Sequence, residues 1–233
     1  QGISFSNEVD EDGVVTILAV PYVSDGTEVK PVTITGDATL EQSVDDRTGI
    51  RTIILSDIAS DVQVTFNSYY LFMTAIHEVT NISSTTKIYG SSYGDRYLDM
   101  MKIDGQEVAI QQYHQFETTG THVVKYSFKD RGKINDGMFG SATTIKKVIL
   151  PEGFTNIGSL AFQGNSSIES INFPESLVQL GYQVFQRCSS LSCPIVLSDN
   201  LKYSYGTFSG CSKLTDVTLA PNTKSIPSSM FEE

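Results

Sequence analysis

Phe139, Phe162, Phe185, Phe208 and Phe231 are spaced 23 residues apart. Four equal intervals in succession leave little freedom in what the C-terminal part of this chain can fold into. A fixed period of this size marks a solenoid, in which each repeat is one coil that buries its apolar face against the next. The other positions keep the same register. Six residues after each ring come Ile145, Ile168, Leu191 and Leu214; nine after, Val148, Ile171 and Val217; eleven after, Leu150, Phe173 and Leu219. Pro151 and Pro174 follow, with Pro221 one place late. Eighteen residues after the ring lie Ile157, Leu180, Tyr203 and Ile226, and Gly158 and Gly181 come next.

Each position has its own physics. The alternation in Val148/Leu150, Ile171/Phe173 and Val217/Leu219 is that of a strand with one buried face. Proline cannot donate to a ladder, so the strand ends where it follows. Glycine after the later apolar residue suits a turn of positive φ. Phe fills the interior from the far side, at roughly 1.5–3 kcal/mol per buried ring. The third repeat departs from the pattern: Leu191-Ser192-Cys193-Pro194-Ile195-Val196-Leu197 carries one extra residue before its inward pair, and one is lost before Phe208. A bulge offset by a shortened turn accounts for both.

These residues, from Ile134 to Phe231, resemble the BspA-type leucine-rich repeats of bacterial surface proteins. Phe, Cys or Asn, Leu, Val, Leu-Pro, Leu and Ile-Gly all recur in register. The resemblance implies a secreted or surface-anchored protein used in adhesion or protein recognition, and it implies no catalytic residues.

The chain before the repeats, residues 1–133, reads as β-rich. Ile3–Phe5 and Val14–Val20 flank Asp12-Gly13, and Ile103 and Val108 flank Asp104-Gly105; both pairs read as hairpins. Val32–Thr35 alternates before Gly36, and His122–Phe128 places Val124, Tyr126 and Phe128 on one face. The expected fold is thus mainly β with short helical turns. A partly sandwich-like N-terminal region, with a hairpin unit at 98–130, precedes a solenoid of 23-residue repeats with a parallel sheet over 134–233. Two readings fit the segment 44–89. Ile50–Leu55, with Met73 and Ile76 one period on, forms either degenerate coils of the array or ordinary strands. The chain stops inside a repeat, and arrays normally end in a polar cap, so the expectation is that repeats continue.

Charge narrows the partners. Residues 1–133 hold 10 Lys and Arg against 19 Asp and Glu, and residues 134–233 hold 6 against 8, within a net charge of −11. No basic stripe invites nucleic acid or an anionic membrane. The longest apolar run, Val14–Val20 broken by Thr16, is too short to span a bilayer. The chain opens at Gln1 without an apolar leader, so export requires a leader already removed. Three cysteines give no complete disulfide framework. Cys188 and Cys211 occupy the repeat position held by Asn165 and Ala142, and stack roughly 5 Å apart by strand spacing. Side chains pointing the same way seldom adopt disulfide torsions, so buried thiols are expected there, with Cys193 in the bulge.

Several motifs carry little chemistry. Gly90-Ser91-Ser92-Tyr93-Gly94 spells a hydrolase nucleophile elbow but sits in a Gly/Ser/Tyr loop, without the strand and helix that an elbow needs. Glu8, Asp10, Asp12 and Gly13 imitate the start of a calcium loop whose twelfth position is Ala19 instead of Glu. His77, His114 and His122 have no metal-ligand spacing, and His122 reads as a hydrogen-bonded structural histidine. No cofactor or metal is expected. Tyr89, Tyr93 and Tyr97, four apart, are either sugar-stacking contacts or one stripe packed on a sheet.

The surface left for a ligand is the outward set of the repeat strands: Lys147, Ile149, Ser170, Asn172, Val196, Asp216 and Thr218. It holds no paired carboxylates and no nucleophile–base pair. The expectation is a non-enzymatic, extracellular or cell-surface monomer that binds a protein through the concave face of its repeats. The alternative is a glycan-binding accessory protein that uses the tyrosine-bearing loops.

Overall fold

A computed structural model describes residues 3–12, 14–21, 27–29, 33–44, 51–59, 62–65, 69–90 and 94–232. The fold is mainly β with almost no helix. Two compact units divide between Tyr70 and Leu71, so the boundary expected at 133–134 falls inside the second unit.

In the first unit β1 (Ile3–Val9), β2 (Val15–Pro21), β5 (Thr39–Val44) and β6 (Arg51–Ser56) form an antiparallel sheet in the order β1-β2-β6-β5. Strand β3 (Thr27–Val29) lies between them in sequence, and β4 (Thr33–Thr35) pairs antiparallel with β7 (Gln63–Thr65). Ile17, Ile53 and Leu55 form a buried cluster against which Val15, Ile34, Leu40, Val62 and Val64 pack. Ile34 and Val64 come from the β4–β7 pair, so two sheets share one core in sandwich fashion. At the β1–β2 hairpin Asp10 accepts bonds at Oδ1 from the amides of Asp12 at 3.0 Å and Val14 at 2.8 Å. Those two bonds shape the turn.

The second unit holds β8 (Tyr69–Val79, from Leu71 on), β9 (Thr86–Lys87), the one-turn helix α1 (Gly94–Tyr97), β10 (Leu98–Ile103), β11 (Gln106–Val108), β12 (Tyr113–His114) and β13 (Gly120–Phe128). The repeats supply β14 (Lys133–Ile134), β15 (Ile145–Ile149), β16 (Asn156–Ile157), β17 (Ser170–Ile171), β18 (Gln179–Leu180), β19 (Ile195–Val196) and β20 (Val217–Thr218). The largest sheet runs β11-β10-β13-β8-β15-β17 and is mixed: β8 meets β15 antiparallel, whereas β15 and β17 are parallel. Of the two readings of 44–89, ordinary strands describes β6 and β8, since both pair antiparallel with their neighbours. The β10–β11 hairpin turns on Asp104 and Gly105, both at positive φ (49° and 85°), as a tight two-residue hairpin requires.

The five recurrent phenylalanines form one column. Successive ring centroids lie 5.3, 5.4, 5.5 and 5.9 Å apart, with interplanar angles of 14°, 7°, 6° and 6°. The amides of Phe139, Phe162, Phe185 and Phe208 donate to the carbonyls of Ala161, Val184, Thr207 and Met230 in the next repeat. Tyr126 and Phe128 close the first end edge-on, at 5.0 and 6.4 Å from the Phe139 ring. The hairpin region therefore caps the column, and β8 covers the edge of β15 that no repeat strand pairs. In place of short helices, the ring-bearing segments are runs of tight turns, as in the bonds from Gly140 N to Gly137 O and from Ala142 N to Phe139 O.

Turn geometry corrects one expectation. Gly153 apart, the residues of positive φ from 134 on lie two before each Phe (Gly137, Leu160, Gln183, Gly206, Ser229) and two after the first four (Ser141, Gly164, Arg187, Gly210). Gly158 and Gly181 are not among them. They are glycine because neighbouring repeats touch there: a Cβ on Gly158 would lie 2.5 Å from Asp136 Oδ1 and 2.7 Å from its amide nitrogen, and one on Gly181 would lie 2.5 Å from Ser159 N. Overpacking against backbone has no side chain to yield. Gly181→Ala is therefore expected to lose about 1–3 kcal/mol in denaturant unfolding. Gln183→Gly, at φ 50°, relieves left-handed strain and should unfold no earlier than the parent. Equal midpoints for parent and Gly181→Ala would disprove the contact.

The third repeat contains the bulge. The amides of Ser192 and Cys193 both donate to Glu169 O, at 3.1 and 3.2 Å, so two residues oppose one. Beyond it Ile195 and Leu197 are buried, as expected of the inward pair. The bulge and Pro194 also interrupt the ladder: β19 pairs in parallel with β20, in a sheet separate from β15 and β17. Cys188 and Cys211 are buried thiols that donate to Phe162 O and Phe185 O at 3.2 and 3.1 Å, and burial pushes the Cys211 thiol up to about 12. Asn165, at the same repeat position, donates to Ala142 O at 2.8 Å. Cys193 is half-buried.

Candidate functional site

Two surfaces of the second unit present side chains to solvent in an ordered way. The first is the strand face. Lys147 lies beside Ser170, and Val196 beside Thr218, because parallel pairing places equivalent residues side by side. Val148, Leu150, Ile171, Ile195 and Leu197 point inward and are buried. Period-two alternation then turns the residues between them outward. Lys147, Ile149, Asp216 and Thr218 are exposed, Ser170 is half-buried, and Val196 is 63% exposed, a large apolar side chain facing water.

Asn172 is exposed but engaged. Its Oδ1 accepts from Leu150 N and its Nδ2 donates to Leu150 O, both at 2.7 Å. The side chain stands in for a strand neighbour, and it ties two repeats together rather than offering groups to a ligand. Sequence reasoning also missed where the face continues. Strand β8 pairs with β15 so that Ile76 lies beside Lys147 and Thr74 beside Ile149, and β13 adds Val123 beside Ile76. The alternation in His122–Phe128 was the available signal, but its partner was not readable.

The second surface is a groove of about 320 Å³ along β14, β16 and β18, with Tyr97, Asp136, Asn156, Ser159 and Gln179 in its lining. Asp136, Ser159, Tyr182 and Tyr205 share one repeat position. Asp136 Oδ1 accepts from Ser159 N at 2.7 Å, and Ser159 Oγ accepts from Tyr182 N at 3.2 Å. Asn156 Nδ2 donates to Gln179 Oε1 at 3.0 Å. Tyr182 is 62% exposed and Tyr205 also faces solvent. Their common position three residues before a Phe was legible in the sequence. It went unread because it holds Asp or Ser in other repeats.

The tyrosine stripe fares differently. Tyr89 is 3% exposed, with its ring edge-on to Tyr126 at 6.5 Å, so it belongs to the core rather than to a ligand. Tyr93 lies outside the described residues, as do Ser91 and Ser92 of the elbow spelling. Tyr97 is exposed at the groove.

The histidines converge in space although their spacing hid it. His77 lies directly across from His122 between β8 and β13. His77 Nδ1 is 2.9 Å from Thr144 Oγ1, and Nε2 is 3.4 Å from the Tyr126 hydroxyl, which itself donates to Ile88 O at 2.7 Å. Burial, with a smaller contribution from His122, lowers its pKa to about 3. At His122 burial works against the charge, but the Asp104 carboxylate at 2.7 Å from Nδ1 and Thr118 O at 2.9 Å from Nε2 outweigh it, and the pKa rises. His114, half-buried, is pushed down by burial and by His122. Both ring nitrogens of His77 and of His122 face protein groups, His114 Nδ1 lies 2.8 Å from Gln111 Nε2, and no cluster of three or more His, Cys, Asp or Glu among the described residues suits a metal.

Residues 132–233 match, in six copies, the family model described as BspA type leucine-rich repeat region. No curated protein and no solved structure matches the chain.

Proposed function

We propose, from the premise that residues 132–233 are a BspA-type leucine-rich repeat region, that this is a non-enzymatic recognition protein of the cell surface or the secreted fraction. Its repeats form a solenoid, and the strand face is the concave surface that docks a protein partner in adhesion. The family is typically bacterial, surface-bound or secreted, and generally without enzymatic activity. The observation that carries the reading is the exposure of Val196 and Ile149 on a face whose other members, Lys147, Ser170, Asp216 and Thr218, are small or singly charged. Apolar anchors within a polar surround are the anatomy of a protein-binding patch. Asn172 contributes by holding the face in register.

The test is binding of the labelled protein to an array of secreted and surface proteins, followed by variants. Ile149→Asp and Val196→Asp place a charge on the face without touching the core. Each is expected to melt with the parent and to bind its array partner at least about tenfold more weakly, the scale of one lost anchor. Full binding by both variants would remove the strand face as the docking surface.

A further inference from the structure

We infer that the groove along β14, β16 and β18 is a binding site for a neutral carbohydrate chain, with Tyr182 and Tyr97 as stacking platforms and Asp136, Asn156, Ser159 and Gln179 as hydroxyl partners. The site is separate from the strand face and does not depend on the protein-docking reading. Three observations point to this ligand class.

The first is the donor set. The groove is lined by planar amides and a carboxylate, the side chains that offer two adjacent hydrogen-bonding atoms in one plane. Their mutual bonds use one oxygen of Asp136 and the oxygen of Gln179. The second Asp136 oxygen, the Gln179 amide nitrogen and the Asn156 amide oxygen are left as acceptors and donors for neighbouring hydroxyl groups. Those internal bonds also hold the side chains in place before a ligand arrives, which lowers the ordering cost of binding.

The second is the aromatic flank. Tyr182 follows Gly181, itself part of the lining, and Tyr97 stands on the groove wall. Both rings are exposed, as is Tyr205 at the equivalent position of the next repeat. Exposed tyrosine gives contact area with few torsions to freeze and keeps a polar tip, which matches a sugar ring with its apolar C–H face and hydroxyl rim. Because Tyr182 and Tyr205 recur at the repeat spacing, the platform is extended, and an extended ligand is favoured over a single sugar.

The third is charge. The lining carries one cation, Lys133, and one anion, Asp136, and Lys133 is paired with Asp130 at 2.8 Å. With the chain at −11, a polyanionic chain is repelled and a neutral one is not. The lining is too polar for an apolar molecule and lacks the buried hydrophobic centre of a protein interface.

The experiment is affinity electrophoresis of the whole chain in native gels cast with soluble polysaccharides: a mannan, a xylan, a mixed-linkage glucan and a galactan as neutral probes, and a polygalacturonate as the anionic one. At least one neutral polymer is expected to retard the protein. Tyr182→Ala is expected to abolish that retardation and Gln179→Ala to weaken it at least threefold in the apparent dissociation constant, with melting temperatures unchanged because both side chains are exposed. Val196→Asp, on the strand face, is expected to be retarded like the parent, so loss of protein docking and loss of sugar binding are separable. Retardation by no neutral polymer, retardation by polygalacturonate alone, or full retardation of Tyr182→Ala would each overturn the assignment.

Discussion

Phe185→Ala is expected to lose about 3–5 kcal/mol of stability, the range for truncating a buried aromatic residue. The ring is fully buried and lies between Phe162 at 5.4 Å and Phe208 at 5.5 Å, with Phe173 at 6.0 Å on its flank. Both faces of the ring lose a partner when it goes, so the cavity opens in the middle of the column. Each repeat draws its stability from its neighbours, so the damage spreads along the array. Denaturant unfolding followed by far-UV circular dichroism should show a lower midpoint and a broader transition as the two sides of the break separate. A Phe185→Ala protein that unfolds with the parent would mean that the column is not what holds the repeats.

Acid should destabilise the second unit through His77. Its folded-state pKa of about 3 lies below the ordinary 6.5. The unfolded chain therefore binds a proton that the folded protein refuses, and stability falls as pH drops from 6.5 towards 3, by about 1.4 kcal/mol per unit for one such group. His114, also lowered, adds to the same trend. His122 has the opposite sign: its raised pKa contributes stability that is fully present below 6.5 and is lost as pH climbs through the folded value. Asp104, held low by His122 and the Val123 amide against its own desolvation, supplies stability above the usual carboxylate range and loses it only in stronger acid. The contribution of His77 is isolated by comparison with His77→Gln. The stability difference between parent and variant should narrow by about 1.4 kcal/mol per unit between pH 6 and 4.5. Parallel pH profiles would mean that His77 is not held neutral.

The hydrogen bonds explain why that histidine resists a proton. The Tyr126 hydroxyl donates to Ile88 O, so it accepts from His77 Nε2–H, which leaves Nδ1 to accept from the Thr144 hydroxyl. A second proton would face the Thr144 donor with no buried anion to compensate it. His122 has two acceptors instead, and the sign of its shift follows.

The ring column, the buried thiols and the bulge at Ser192–Cys193 were all legible in the residues, because each repeats or breaks a period; of the expected inward strand residues Val148, Leu150 and Ile171 are buried, whereas Phe173, Val217 and Leu219 are only half-buried. The candidate surfaces were legible in part. Alternation marks which residues leave the core, so Lys147, Ile149 and Val196 could be named from sequence. It does not reveal which of them are engaged elsewhere, and Asn172 was misread for that reason. Tyr89, Tyr93 and Tyr97 looked like one stripe, yet Tyr89 turns into the core against Tyr126, a partner 37 residues away. Gly158 and Gly181 show the same limit: the need for glycine was visible, but its cause was contact between repeats instead of a turn.

What the chain determined by itself is the local content of each repeat, since a 23-residue period ties every coil to the same apolar positions and needs only its nearest neighbours to be satisfied. What tertiary structure alone decided is how the array begins. Antiparallel β8 covers the edge of β15, and Tyr126 and Phe128 close the ring column, through pairings between residues that share no period and no motif. His77 and His122 meet for the same reason. Contacts inside a repeat recur and so leave a mark in sequence; contacts that occur once, between distant segments, are selected by which surfaces fit when the chain folds.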